Sequence, residues 1–446
     1  MNKFLRKLSV WQIIAIGYAL VILLGSFLLS LPFSSKEHIW TPYLNSLFTA
    51  TSATCVTGLV VYDTFTHWSG FGQAIILLMI QIGGIGFMSI ITLFAMMLKK
   101  HIGLYERKII AQSAGSNGRT GVVRLIQKVL IGTLIFEGAG TALLMIPFCR
   151  DMGFWKGLYY SVFHSISAFC NAGFDIMGFQ GQFSSFTNYT GDPIVVLTLS
   201  TLIFWGGIGF IVWADISDNK FNWKKFQLHT RVALIASVLL IGISSLLFFL
   251  FEKDHIMKNM SAGEAFLASL FQAITPRTAG FNTIDTASLS ESSSLLTMIL
   301  MFIGGSSGST AGGLKVTTFV VLLLGVFALS RNKGEISIGK RSIEQSQLLK
   351  AFTLFSLYLL TTVIFTLIIV AIEPFSLKSI LFEVISAIGT VGLSTGITPV
   401  LSITSKLLIM LLIYIGRVGI ITFVLAFSDT KNNSAIKKPT DRILIG

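Results

Sequence analysis

The triplet Thr390-Val391-Gly392 is the stretch of this sequence whose residue types are best suited to binding an ion. Carbonyl oxygens along such a backbone can replace the hydration shell of a cation, and T-V-G strands do so in the filters of potassium channels. One strand cannot surround an ion, so a filter needs a ring of four. The triplet occurs once in the chain, so three further strands would have to be present in altered form.

Three other stretches repeat the pattern around this triplet, which is a short apolar segment followed at once by glycine. The short segments cover 45–54, 158–169, 264–275 and 379–389, and the glycines after them are 115, 107 and 112 residues apart. A helix of about eleven residues rises about 16 Å, half of a bilayer. We therefore predict four half-helices, each leading into one filter strand. The predicted filter residues are Val56, Thr57, Gly58, Asn171, Ala172, Gly173, Thr278, Ala279, Gly280, Thr390, Val391 and Gly392.

The half-helices and glycines suit a cation site for two physical reasons. A half-helix that enters from outside points its partly negative C-terminal end at the membrane centre, which favours a cation there. Glycine allows backbone angles that turn carbonyl oxygens toward an axis. Re-entrant loops of a transporter and glycine-rich helix contacts are the alternatives, but four glycines in register after four short segments favour a filter.

These segments must be positioned by membrane-spanning elements, because the chain is too apolar for a soluble domain. Of its 446 residues, 53% are hydrophobic and 12% are charged, and the mean hydropathy is +0.79. A soluble domain has about 25% charged residues. Eight apolar stretches are each long enough to cross a hydrocarbon core of about 30 Å as a helix. They lie near 10–31, 71–98, 125–148, 193–216, 232–251, 295–329, 351–372 and 407–427.

The sequence therefore predicts an all-α membrane protein with eight transmembrane helices and four re-entrant half-helices around a central, potassium-channel-like pore. Each repeat consists of a span, a half-helix, a glycine strand and a second span. The predicted repeats cover 1–118, 119–226, 227–343 and 344–446, and the last includes a C-terminal tail.

The net charge of +13 indicates membrane topology and not nucleic-acid binding. With eight spans, both termini and every second loop share one side, and most Lys and Arg residues fall there. Positive residues collect in the cytoplasm, so we expect a multi-pass protein with both termini cytoplasmic. The opposite loops carry mostly acids, among them Asp63, Asp175 and Asp285, which can raise the local cation concentration.

Arg417 and the glycine-rich segment 304–315 are the candidates for a gate below the filter. Arg417 follows Gly392 by 25 residues, as Gly305 follows Gly280, and an arginine at mid-span usually faces an interior or water-filled cavity. Each glycine costs a helix about 1 kcal/mol relative to alanine, so we expect the third unit to contain the one broken span, with a mobile loop. The predicted gate residues are Arg417, Gly304, Gly305, Gly308, Gly312, Gly313 and Lys315.

Each of these elements has an alternative interpretation. Arg417 can instead pair with Glu137, a carboxylate within an apolar stretch, and the glycines can serve close helix packing. Near the filter, we expect Arg277 to hydrogen-bond to carbonyls that support the filter, and His164 to act as a structural hydrogen-bond donor.

The filter stretches resemble the superfamily of potassium transporters that includes bacterial Trk and Ktr and plant HKT proteins. The match is carried by SATCVTGLVVYDT, FHSISAFCNAGF, FQAITPRTAGFN and SAIGTVGLS. Over nearly its whole length the chain most resembles the membrane subunit of a bacterial Ktr system. The resemblance implies potassium uptake across the bacterial cell membrane, often helped by sodium, and Gly58 argues for potassium.

The same resemblance implies partners and a constriction. The family forms homodimers that sit on a cytosolic ring of nucleotide-binding regulatory subunits, so a nucleotide would act only through that partner. The family also has an arginine at the place of Arg417. We expect the ring to dock on the basic loops at 99–124, 217–231 and 331–350, and the tail 442–446 to enter the homodimer interface.

Other functions fit the sequence less well. The six histidines are scattered and no H-E-x-x-H occurs, so an enzyme is not expected. The alternative transport mechanism is a sodium- or proton-coupled cation symporter with looser selectivity between potassium and sodium. Coupled carriers tend to place carboxylates in their spans, and the scarcity of such residues here favours a gated, channel-like pathway.

Overall fold

The computed structural model describes residues 9–86, 89, 121–331, 336–338 and 341–427. Within them the same order of elements occurs four times: a long helix, a short helix, a strand with a glycine, and a second apolar helix. We call these groups units one to four. The predicted repeat boundary at 118, the tail 442–446 and parts of the basic loops 99–124 and 331–350 lie outside the described residues.

Each unit begins with a long apolar helix. Ser9 starts the first one with a capping box, in which its hydroxyl accepts from the N–H of Gln12 and the Gln12 side chain accepts from the N–H of Ser9. In the described part of the chain these four helices are long and apolar enough to cross a membrane, as a multi-pass membrane protein requires. They are Val10–Ser30, Val122–Met152, Leu228–Glu252 and Gln345–Ile372.

A short helix follows in each unit and ends directly before the glycine strand. Ser261 and Ser376 cap two of these helices with their hydroxyls, and Ser261 forms a capping box with Glu264. The structure agrees closely with the predicted half-helices, although the second one begins earlier than predicted. The short helices are Tyr43–Thr54, Phe154–Phe169, Ala262–Ile274 and Leu377–Gly389.

The second apolar helix is interrupted in units two, three and four, which corrects the prediction that only the third is broken, and in unit one the described helix ends at Ile85. Gly86, Gly209 and Gly419 follow or separate helical segments with φ of +91°, +106° and +92°. Glycine reaches these angles without the steric cost that a Cβ atom imposes, and the apolar composition continues through the break. The described segment of unit one is Gly70–Ile85. Unit two has Pro193–Gly207 and Phe210–Asp218, which lie at 92° to each other. Unit three has Glu291–Phe302 and Val316–Ser330, and unit four has Ile403–Val418 and Ile420–Phe427.

A β-hairpin follows the third unit, so the prediction of an all-helical chain is also incomplete. Its strands are Ile336–Ile338 and Arg341–Ile343, with Ile336 opposite Ile343. β-Branched isoleucines that alternate with polar residues favour a strand.

Three glycines bring the second helix of a unit against the C-terminal end of its short helix. A Cβ atom at any of them would overlap a carbonyl oxygen that lies four residues before the filter glycine. Small residues permit this approach of two backbones, which explains part of the small-residue clusters. The pairs are Gly83 with Thr54, Gly206 with Phe169, and Gly416 with Ile388.

Candidate functional site

The four predicted filter glycines lie side by side in one closed ring. A Cβ atom added to any of them would come within 3.0 Å of a carbonyl oxygen on the next strand, closer than real side chains approach. That oxygen belongs to the residue before the next glycine, and the fourth strand returns to the first. Any side chain at these positions must therefore displace a neighbouring strand. The pairs are Gly58 with Ala172, Gly173 with Ala279, Gly280 with Val391, and Gly392 with Thr57.

Each ring strand has an unusual backbone with two positive φ angles. The glycines have φ between +68° and +94°, and the residue two positions earlier has φ between +51° and +72°. Non-glycine residues rarely adopt this region, and each instance costs on the order of 1–3 kcal/mol. The strands therefore share one costly shape although their sequences differ. The earlier residues are Val56, Asn171, Thr278 and Thr390.

A hydroxyl group at the end of each short helix holds the strand that follows. Ser52 and Ser386 accept from the N–H groups of Gly58 and Gly392 at 3.0 and 3.1 Å. In the other two units the hydroxyl donates to the carbonyl after the glycine: Ser167 to Phe174 at 2.6 Å, and Thr275 to Phe281 at 2.7 Å. The hydroxyl groups thus anchor the ring as acceptors in units one and four and as donors in units two and three.

Two cavities adjoin the ring and the predicted gate. The first cavity, about 200 Å³, is lined by the four ring glycines together with Asp63, Asp175 and Asp285. Burial, and to a smaller extent the charge of Asp63, raise the pKa of Asp175 to about 7, although the hydrogen bond from the N–H of Met177 favours the ionised form. The second cavity, about 210 Å³, is lined in part by Arg417, Lys315 and Gly308. Acids therefore border one cavity and bases the other.

The structure brings Arg417 and the segment 304–315 together. The guanidinium donates to the carbonyl oxygens of Thr310, in that segment, and of Gly83, in unit one. Lys315 Nζ donates to the carbonyls of Ala311 at 2.7 Å and Gly312 at 3.1 Å. Within the described part of the chain, neither cation forms an ion pair.

The segment 304–315 also packs directly against the ring strands. A Cβ atom at Gly312 would overlap the Thr390 side chain, and one at Gly313 would lie 3.2 Å from Gly389. A Cβ atom at Gly304 would lie 3.4 Å from the methyl group of Thr278, and one at Gly305 would lie 2.9 Å from the carbonyl oxygen of Gly207. The motif G-x-S-x-G occurs at 304–308. The nucleophile elbow of hydrolases needs a strand before this motif, and here a helix precedes it, so the motif is not such an elbow.

Glu137 and Arg277 have partners that the sequence did not predict. Glu137 accepts a hydrogen bond from Gln81 at 3.2 Å, so the alternative pairing with Arg417 is wrong in this structure. The Arg277 guanidinium donates to the hydroxyl of Ser237 at 2.9 Å, and not to carbonyls that support the filter. Ser237 lies on a long helix, so Arg277 points away from the ring, a direction that only the tertiary structure determines.

The chain resembles known transport proteins over nearly its full length. Residues 14–437 match the family described as "TrkH: Cation transport protein". The potassium/sodium uptake protein NtpJ of Enterococcus hirae is 39% identical over 454 residues, which cover 100% of this chain and 99% of that protein. The Ktr system potassium uptake protein B of Bacillus subtilis (strain 168) is 40% identical over 439 residues, or 98% and 96% of the two chains.

A solved structure has the same fold. The crystal structure of the potassium transporter TrkH from Vibrio parahaemolyticus superposes with a TM-score of 0.74 at 18% identity, over 94% of this chain and 85% of that one. The family and the two relatives are transport proteins and not enzymes. Because the family match covers most of the chain and the relatives are 39% and 40% identical, the protein belongs to the TrkH family of cation transport proteins.

Proposed function

We propose that this chain takes potassium into the bacterial cell through a gated, channel-like pore whose filter is the ring of Gly58, Gly173, Gly280 and Gly392. The observation that carries the proposal is the closed ring of four strands, because carbonyl oxygens from four sides can replace an ion's hydration shell. Two relatives, a potassium/sodium uptake protein and a Ktr system potassium uptake protein, support potassium as the transported ion.

In this proposal four repeats, at 1–118, 119–226, 227–343 and 344–446, surround one central pore. Each contributes two transmembrane segments and a short helix that enters from outside. Irregular backbone at membrane depth is tolerated where it lines a cavity or is buried in protein, which is the position of the glycine strands. The acidic first cavity then faces outside and concentrates cations, and both termini are cytoplasmic.

Arg417 and the segment 304–315 form the gate. The segment lies between the ring strands and the second cavity, where Gly312 packs against Thr390. The positive charge of Arg417 raises the barrier for a cation on the pathway, more strongly as the local dielectric constant falls. The remaining gate residues, Gly304, Gly305, Gly308, Gly313 and Lys315, give the segment its shape.

A cytosolic nucleotide-binding subunit regulates the gate, and the chain works as a homodimer. Two Bacillus subtilis relatives, the Ktr system potassium uptake proteins B and D, are named as parts of a Ktr system, which supports a partnership with other components. A nucleotide then acts only through that subunit. Purification of the complex from its native membrane tests both points, since a monomer that recovers no cytosolic subunit contradicts them.

A sodium- or proton-coupled symporter is the second candidate function. The Enterococcus hirae relative is a potassium/sodium uptake protein, which favours sodium as the coupling or co-transported ion. Sodium dependence is compatible with the pore, because the acids that line the first cavity attract sodium as well as potassium.

Transport measurements separate these functions. Cells that lack other potassium uptake systems should grow at low potassium when they express this chain with its regulatory subunit. Potassium current through purified protein in a bilayer, recorded with and without sodium and at two pH values, then distinguishes the mechanisms. Current that reverses at the potassium equilibrium potential supports the pore. A requirement for a sodium or proton gradient supports the symporter, and failure to transport potassium refutes both.

A further inference from the structure

Glu383 and His164 stand at the same place in two short helices, nine residues before the ring glycine of their own strand. Both side chains are buried, with exposed fractions of 1% and 0%. Both accept a hydrogen bond from the backbone N–H of the residue three positions after that glycine. The bonds run from Ile176 to His164 Nε2 at 3.1 Å and from Thr395 to Glu383 Oε1 at 3.0 Å.

The histidine is arranged as a neutral acceptor. Its Nδ1 lies 2.8 Å from the carbonyl oxygen of Tyr160, which can only accept, so Nδ1 carries the proton. Nε2 is then free to accept from Ile176, and the expected role of His164 as a donor is only half of its contribution. The rings of Phe148, Phe163 and Phe186 surround the imidazole and keep it from rotating.

The glutamate holds a longer piece of the strand. Besides the N–H of Thr395, its carboxylate accepts from the hydroxyl of Ser394 through Oε1 and from that of Thr398 through Oε2, the latter at 2.8 Å. Ser394, Thr395 and Gly396 line the first cavity beside the ring glycine of unit four. One buried carboxylate therefore fixes the segment that borders the entrance of the ring.

Units one and three have different residues at this position. Thr49 donates its hydroxyl to the carbonyl of Asn45 in its own helix, and Phe271 is a buried apolar side chain. Each ring strand contacts the next in chain order, so units two and four face each other. Side-chain acceptors thus hold two opposite strands at the same height.

We propose that His164 and Glu383 are positioning residues that set the width of the ring entrance, and with it the preference for potassium over sodium. The inference rests on the proposed function of the ring as a filter. Two unlike side chains in the same register accept from equivalent backbone N–H groups of their own strands. The position of the strand therefore depends on the presence of an acceptor and not on its charge. When it is lost, the outer end of the strand can move relative to its own helix, and the carbonyls beside it lose their fixed spacing.

The experiment compares variants that lose the acceptor with variants that keep it. His164→Phe introduces the residue type that unit three has at this place, and Glu383→Met removes the carboxylate at similar volume. His164→Gln and Glu383→Gln retain an oxygen that can accept. Potassium and sodium flux is measured in proteoliposomes with the full-length chain, after size-exclusion chromatography has shown that each variant is folded. Phe271→Leu, at the same register in unit three, is the matched control.

We expect the potassium-to-sodium flux ratio to fall at least five-fold in His164→Phe and Glu383→Met, and to stay within two-fold of the parent in both Gln variants and the control. Unchanged ratios in the first pair overturn the proposal, and a fall in Glu383→Gln as large as in Glu383→Met shows that the charge matters instead. If His164→Phe and Glu383→Met do not fold, the double variant Ser394→Ala and Thr398→Val replaces them, because it removes two donors to the Glu383 carboxylate. We expect its potassium-to-sodium flux ratio to fall, and an unchanged ratio contradicts the proposal. A parent chain without potassium preference refutes the filter itself, a distinct outcome that removes both proposals.

Discussion

Arg417 donates one hydrogen bond to the carbonyl oxygen of Thr310 and another to that of Gly83. A single guanidinium on the fourth unit therefore joins the glycine-rich segment of unit three to the second helix of unit one. Planar guanidinium groups suit several oxygen acceptors at once, and lysine cannot reproduce that geometry. Among the described residues that line the second cavity, Arg417 and Lys315 are the charged ones. The contact therefore links the charge of Arg417 to the segment 304–315, which packs against the ring strands.

The first prediction concerns this contact. Replacing Arg417 by alanine, or shortening 304–315, should raise potassium flux in the absence of the proposed regulatory partner. A unit charge about 10 Å from the ion at an effective dielectric constant of about 20 costs about 1.7 kcal/mol, so we expect about a 17-fold increase. Flux into proteoliposomes that contain this chain alone measures it.

Two variants make the gate test specific. Arg417→Lys keeps the charge but loses the bridge between Thr310 and Gly83, so it separates electrostatic repulsion from hydrogen bonding. Arg150→Ala removes an exposed arginine paired with Asp151 and should have no effect. If folded Arg417→Ala and loop variants conduct no faster than the parent, Arg417 is a structural bridge and the constriction lies elsewhere.

The second prediction concerns the ring glycines. Serine at Gly58, Gly173, Gly280 or Gly392 places a Cβ atom against the next strand's carbonyl, which must then leave the ring. We expect the preference for potassium over sodium to fall about ten-fold, equivalent to about 1.4 kcal/mol. Uptake of both ions in cells without other potassium systems measures it. Gly263→Ser is the control, because a Cβ atom there meets nothing within 4 Å; unaltered selectivity in all four variants would refute the filter assignment.

The third prediction concerns Thr275, whose hydroxyl donates to the carbonyl of Phe281 at 2.7 Å. Valine has nearly the same shape but leaves that buried carbonyl without this donor, which costs about 1–3 kcal/mol. Thr275→Val should therefore unfold at lower temperature and select less well, whereas Thr275→Ser should resemble the parent. Thr201→Val removes an exposed hydroxyl that bonds within its own helix and serves as the control. Equal behaviour of the Val and Ser variants contradicts an anchoring role.

The fourth prediction is a pH dependence of uptake that arises at Asp175, whose pKa burial raises to about 7. The unfolded carboxyl titrates near 3.9, so the folded protein binds the proton more tightly and its stability falls as pH rises from about 4 to 7. Function changes in the opposite direction, because the ionised form attracts cations. Lowering the external pH from 8 to 6 should raise the potassium concentration needed for half-maximal uptake.

Asp175→Asn should remove that pH dependence and show the low-affinity behaviour at both pH values. Asp285→Asn takes another charge from the first cavity and should lower the apparent affinity while the pH dependence remains. A pH profile of Asp175→Asn that matches the parent would assign the effect to a different group.

Much of the ring could be predicted from the sequence because its signal is local. The glycines, the positions two before them and the short helices repeat in register, and the structure brings these residues together. The hydroxyl of unit three comes from Thr275, one residue after the position that serine occupies in the other units, so a search for the same residue at the same position does not find it. The acceptors Glu383 and His164 share one register as well, and extending the alignment to nine residues before the glycine reveals it.

Other features depend on contacts between distant residues. The breaks at Gly209 and Gly419, and the helix end before Gly86, are not visible in composition, because apolar residues continue on both sides and only the backbone shows the positive φ of each glycine. The partner of Arg277 is on a helix forty residues earlier, and side-chain direction at that distance follows from the tertiary structure alone. The isoleucines of the small hairpin carry a strand signal that the strong helical pattern around them obscured.

Anomalous diffraction from crystals of the chain, grown in rubidium with or without the proposed regulatory subunit, tests the central claim most directly. Rubidium is a potassium substitute of similar size that scatters anomalously. The account predicts an anomalous peak on the axis of the ring, among the carbonyl oxygens of Thr57, Ala172, Ala279 and Val391, that weakens when potassium replaces rubidium. An empty ring together with rubidium bound elsewhere, for example beside Glu137, would contradict it.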